Sequence, residues 1–212
     1  MHQNFSTLLS TIKKCNTCAQ FLPTPPNPIF SISTNSKILI VGQAPGKKVA
    51  QTGIPFKDRS GDNLRNWLHV SKEQFYNTTN FGIVPMGFCF PGSNPKGGDF
   101  PPRKECAPQW HPELLKYSTN IKLILLVGTY AQKYYLGKTM KKNLTETVKH
   151  GYEYLPKFFP LVHPSPLNFR WQAKNPWFKT DVVPMLQQKV AEILHSPYPY
   201  LLFINHALSY SF

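Results

Sequence analysis

Four short apolar runs divide the chain: residues 37–42 (KILIVG), 81–88 (FGIVPMGF), 121–128 (IKLILLVG) and 158–162 (FFPLV). The first and third are continuously apolar and end in glycine, the pattern of strands covered on both faces. Pro85 and Pro160 interrupt the other two, which weakens both as strands. Between the runs the apolar spacing becomes helical. Residues 60–70 put Leu64, Trp67 and Leu68 on one face behind a candidate cap, Ser60. Residues 104–117 repeat the spacing with Trp110, Leu114 and Leu115, although Pro108 and Pro112 should break that segment up. A helix over 129–136 should stop at Gly137, and 176–195 should form one helix or two, divided at Pro184. A short helix is also expected over 4–14, followed by an extended Pro-rich connector at 22–30.

Strands alternating with helices predict an α/β fold: a three-layer α/β/α sandwich around a central, mostly parallel four-stranded sheet. One domain is expected over 1–195, with an apolar, aperiodic tail at 196–212 to which no role is assigned. Ligands of such sheets bind beyond the carboxyl ends of the strands. The loop after the first run and the loop at 163–171 after the fourth should therefore face one crevice.

Charge narrows the ligand. The 212 residues hold 24 Lys and Arg against 10 Asp and Glu, a formal net charge of +14. Such a field favours a polyanion, and nucleic acid is the commonest. No five basic residues are consecutive, so the charge belongs to a folded surface and not to a tail. Neither a signal peptide nor a run long enough to span a membrane is present, and a cytoplasmic monomer is expected. The cysteines come as a close pair, Cys15 and Cys18, and a second pair, Cys89 and Cys106, bracketing a Pro/Gly-rich loop. In a reducing compartment they predict a four-thiolate metal site, with four unlinked buried thiols as the alternative. Zinc and an iron–sulfur cluster both accept four thiolates, so spacing leaves the metal open.

The segment VGQAPG (41–46) followed by GIPF (53–56), with HPSPL (163–167) far downstream, resembles the uracil-DNA glycosylase superfamily. The CNTC pair together with Cys89 and Cys106 resembles its bacterial and archaeal iron–sulfur branches. The resemblance implies a [4Fe–4S] cluster on Cys15, Cys18, Cys89 and Cys106, with structural zinc as the alternative. It also implies a flipped base in a pocket, since the scissile bond cannot be reached inside a duplex.

By the same resemblance, Gly42, Gln43, Ala44 and Pro45 line the base through their backbone, Phe56 stacks on it, and His163 donates to its O2. Ala44 stands where the best-known branch has its water-orienting acid. In the iron–sulfur branches the acid comes from elsewhere, which points to Asp58, with Asp62 as the fallback. Asp58 is equally placed to cap the helix at 60–70, and Phe56 to be a core residue. Relatives carry an Asn near the end of the second strand that reads the uracil edge. Here that stretch is VPMGFC, so the base edge would be read either by backbone groups of Pro85–Gly87, Met86 among them, or by another side chain. Leu167 resembles the wedge that fills the gap left in the duplex, while Ser165, Asn168 and Arg170 are expected on phosphates.

The function so implied is hydrolysis of the N-glycosidic bond of uracil, or of other deaminated bases, in single- or double-stranded DNA. An abasic site is left, and no lysine nucleophile stands in the motif loops to carry a lyase step. The alternative is a protein of the same fold that binds or covalently captures damaged DNA without turnover. The short KKVAQTG segment, with no histidine, speaks against capture.

Overall fold

The computed structural model describes residues 4–195, so the tail at 196–212 lies outside the described residues. Four parallel strands form the sheet: β1 (Ile38–Val41), β2 (Phe81–Ile83), β3 (Leu123–Val127) and β4 (Phe158–Leu161), in the order β2-β1-β3-β4. Around it lie α1 (Phe5–Lys13), α2 (Lys47–Thr52), α3 (Arg59–Leu68), α4 (Lys72–Tyr76), α5 (Cys106–Tyr117), α6 (Thr129–Leu136), α7 (Leu144–Lys149), α8 (Phe169–Lys174) and α9 (Val183–His195).

The layers follow from the two-residue period of a strand. Ile38 and Ile40 of β1 face one core, with Leu64, Trp67 and Leu68 of α3 and Leu186 and Val190 of α9. Leu39 and Val41 face the other, with Leu8 and Ile12 of α1, Leu114 of α5 and Ala131 and Leu136 of α6. A strand buried on both sides has no position to spare for a polar residue, hence the unbroken ILIV and LILLV.

The two proline-bearing runs form the edges of the sheet. Pro160 sits inside β4 opposite Leu126, where a missing N–H costs least. Pro85 stops β2 after three residues, so the expected strand over 81–88 is cut to its first part. The prolines of α5 do not break it. Pro108 falls in the first turn, where its N–H would have no helical partner, and Pro112 is absorbed into a helix that runs unbroken to Tyr117. At the C-terminus a π-type turn, Phe178–Val182, leads directly into α9, and Pro184 is the second residue of that helix and does not divide it. The cap of α3 is Asp58 and not Ser60.

From β1 the chain goes outward to β2, then crosses back to lay β3 on the opposite side of β1. The direction of winding thus reverses between β1 and β3, which opens a crevice at their carboxyl ends.

Candidate active site

The loop leaving β1 enters that crevice first. The carbonyls of Gly42 and Gln43 accept from the N–H groups of Met86 (2.8 Å) and Gly87 (2.9 Å), which ties this loop to the chain beyond β2. Helix α2 then starts at Gly46 and ends on Gly53 at φ 68°. The following turn brings Phe56 back to the start of the loop at φ 54°, a left-handed conformation that bulky residues seldom adopt. Two glycines make this return possible. A β-carbon at Gly42 would lie 3.3 Å from Phe56 Cζ, and one at Gly61 would lie 1.8 Å from the Phe56 carbonyl oxygen. Phe75 fixes the ring from the core side, edge-on at 6.3 Å.

Asp58 follows at the N-cap of α3. Its Oδ1 accepts from Gly61 N–H at 2.9 Å, which holds the carboxylate in place and leaves the second oxygen unspent by the cap. Asp62, the fallback acid, is paired with Arg65 on the exposed side of α3 and does not line the cavity.

From the far edge, the loop after β4 brings His163. The Ser165 N–H donates to His163 Nδ1 at 3.2 Å, so the neutral ring carries its proton on Nε2. Burial pulls the His163 imidazole below its ordinary range, partly offset by the negative charges of Asp58 and Asp99. The ring is therefore neutral at pH 7 and acts as a hydrogen-bond donor through Nε2. Two asparagines clamp the loop: Asn168 donates to the His163 carbonyl (2.7 Å) and Asn63 of α3 to the Pro164 carbonyl (2.8 Å).

These pieces enclose one cavity of about 380 Å³. Gly42, Gln43, Ala44 and Pro45 line it, with Phe56, Asp58 and His163. Ser165 and Leu167 border it too, and Leu167 is 78% exposed. Three residues named in the sequence do not join them. Met86 is buried in the second core cluster and reaches the site only through its backbone N–H. The Asn168 side chain is spent on the loop, and Arg170 lies on the exposed face of α8. Asp99 and Asn63 escaped the sequence reading. Asp99 lies in a Gly-rich loop with no periodicity, and Asn63 sits in a helix whose apolar face alone drew notice.

The family model of the uracil DNA glycosylase superfamily matches residues 30–187. The chain belongs to this superfamily. Membership supports a DNA-repair glycosylase, a hydrolase acting on DNA. The matched span contains every strand of the sheet and both cavity loops, but it starts after Cys15 and Cys18. No helix among the described residues is long and apolar enough to cross a membrane.

Near this cavity lies a second, smaller one. All four cysteines line it, with Arg103, Trp110 and a wall of proline and leucine. None of them is in a disulfide. Burial pushes the Cys106 thiol up to about 12, and the Phe88 N–H donates to its sulfur at 3.4 Å. Burial likewise raises Cys89 and Cys18. Arg103 stands over the Phe21 ring at 4.1 Å, pairs with Glu105 at 2.9 Å, and leaves its buried Nε without a partner. An orphaned cationic donor beside four sulfurs fits a group that carries negative charge. Among the described residues no three His, Cys, Asp or Glu side chains are grouped to hold a single metal ion.

Proposed function

We propose that this protein excises uracil, or a closely related deaminated base, from DNA as a monofunctional glycosylase. The observation that carries this reading is the meeting of Phe56, Asp58 and His163, from two distant loops, on one cavity beside the backbone of 42–45. The base leaves the duplex and lies against Phe56, with the N–H groups of the first loop and His163 Nε2–H toward its oxygen. As the C1′–N bond breaks, its electron pair departs on the base, and these donors stabilise the growing negative charge. Such a donor is worth about 10²–10³ in rate. The sugar becomes cationic. Asp58 faces that charge and orients the water that adds to C1′, whose proton passes to solvent. Capping and catalysis do not compete, because the cap uses one carboxylate oxygen and fixes the other.

Leu167, exposed at the rim, fills the gap in a duplex, and Ser165 contacts the backbone beside it. The four cysteines would hold a [4Fe–4S] cluster, which as a structural clip ties the N-terminal segment to the 89–106 loop and takes no part in the chemistry. Four thiolates accept a structural zinc as well, so zinc is the alternative occupant.

The test is incubation with oligonucleotides carrying one uracil, then hot alkali. Strand cleavage that disappears in Asp58→Ala and His163→Ala is the expected outcome. An alkali-stable protein–DNA adduct would mean capture in place of turnover, and no reaction with any deaminated base would refute the proposal. Brown protein absorbing near 400 nm after anaerobic purification distinguishes iron from zinc.

A further inference from the structure

With Ala44 at its turn, the first loop carries no acid of its own, yet a carboxylate reaches it from elsewhere. Asp99 lies at the end of a small hairpin in which Ser93 and Asp99 form an antiparallel bridge. The hairpin is closed by Asn94 N–H to the Gly98 carbonyl (2.8 Å) and Phe100 N–H to the Gly92 carbonyl (2.8 Å). It docks on the first loop through Gln43 Nε2, which donates to the Phe100 carbonyl at 3.3 Å. Asp99 thereby lines the same cavity as Asp58 and His163. Its Oδ1 accepts from Ser93 Oγ at 3.2 Å. Its Oδ2 lies 3.3 Å from where a β-carbon of Gly46 would be, so the bare glycine leaves room for it, two residues from Ala44. No cation pairs with it among the described residues.

Position decides what such a group can do. The flipped base fills the inner part of the cavity, so C1′ must remain nearer its mouth. Asp99 lines the cavity and is itself exposed, so it meets both the cavity and the solvent that supplies the nucleophile. A carboxylate there opposes the growing positive charge on the sugar and accepts a hydrogen bond from an incoming water. We propose that Asp99 is a second catalytic carboxylate, which accepts the proton of the attacking water while Asp58, fixed at the cap of α3, orients that water and faces the sugar cation. In the step, water oxygen bonds to C1′ as the C1′–N pair leaves on the base. Asp99 takes up the water proton and releases it to solvent, so neither carboxylate is changed over the cycle. The inference rests on the glycosylase reading above.

The experiment compares wild type, Asp99→Asn, Asp99→Ala and Asp58→Asn by single-turnover excision from a uracil oligonucleotide, alongside affinity for abasic product DNA. Asp99→Asn keeps size and hydrogen bonding to Ser93, so it isolates charge. The expected result is a loss of about 10²-fold in rate for both Asp99 variants, with product affinity within about threefold of wild type. Sodium formate, a small carboxylate that can occupy the vacated mouth, should restore part of the rate to Asp99→Ala, which it would not do for a merely structural residue. A wild-type rate in Asp99→Asn would overturn the proposal and leave the glycosylase reading intact. So would a rate loss matched by an equal loss of product affinity, or formate without effect. A wild type inert on every deaminated base would defeat the glycosylase reading itself, and this assignment with it.

Discussion

Phe56 can hold φ 54° because Gly61, without a β-carbon, leaves room for the Phe56 carbonyl. Backbone strain of this kind costs of order 1–3 kcal/mol and persists where surrounding packing demands it. Gly61→Ala would drive a methyl into that carbonyl. It should destabilise the fold by more than about 3 kcal/mol, read as a fall in the urea midpoint, and displace the ring from the cavity. A second residue effect concerns pH. His111 is buried, with Nε2–H donating to the Pro85 carbonyl (3.0 Å) and Nδ1 accepting from Tyr135 (2.8 Å). Burial, the larger influence, lowers His111 to about 4, against a smaller opposing effect of the Pro85 hydrogen bond. The unfolded chain therefore binds the proton more readily between about pH 6.5 and 4. Stability from this residue is complete above pH 6.5 and falls as the pH drops toward 4, by about 3 kcal/mol. Urea unfolding at pH 7 and 4.5 should show the loss, and His111→Gln should flatten it. Because Pro85 also lines the base cavity, acid should loosen the pocket wall before the sheet.

At the scale of elements, α3 connects the two halves of the site. Its cap is Asp58, its second turn supplies Asn63 to the His-Pro loop, and its apolar face lies in the core. Asn63→Ala should leave folding nearly intact while lowering the excision rate about tenfold or more, since a small displacement of His163 is enough to spoil alignment. Steady-state kinetics would show this as a fall in kcat with little change in KM. In the loop after β4, Leu167→Ala should weaken action on duplex far more than on single strands, and equal losses would refute the wedge role. Elements of this kind differ in how plainly the chain announces them. β1 and β3 are legible because burial on both faces excludes polar residues. β2 and α5 depart from expectation at prolines whose cost depends on where in the element they fall, which periodicity cannot show. The loops bearing Phe56, Asp58 and His163 were found through motif resemblance, whereas Asp99 depends on a hairpin folding back across the first loop. Met86 stands where relatives have the Asn, but its side chain is buried in the core and its backbone N–H is spent on the Gly42 carbonyl.

On the scale of the whole molecule, the +14 net charge should make DNA affinity fall steeply with salt. Each neutralised phosphate contributes a slope of about −0.9 in log K against log salt for duplex. A titration from low to physiological salt should give a slope steeper than about −2, and a flat line would mean that the pocket alone supplies binding. The family match and the physical domain also have different borders. Leu8 and Ile12 are core residues, and Lys13 donates to the Pro28 carbonyl at 2.9 Å, all ahead of residue 30 where the match begins. A recombinant chain trimmed to the matched span would lose Cys15 and Cys18 and uncover the sheet face that α1 shields. It should come out insoluble, however complete its cavity loops look on paper.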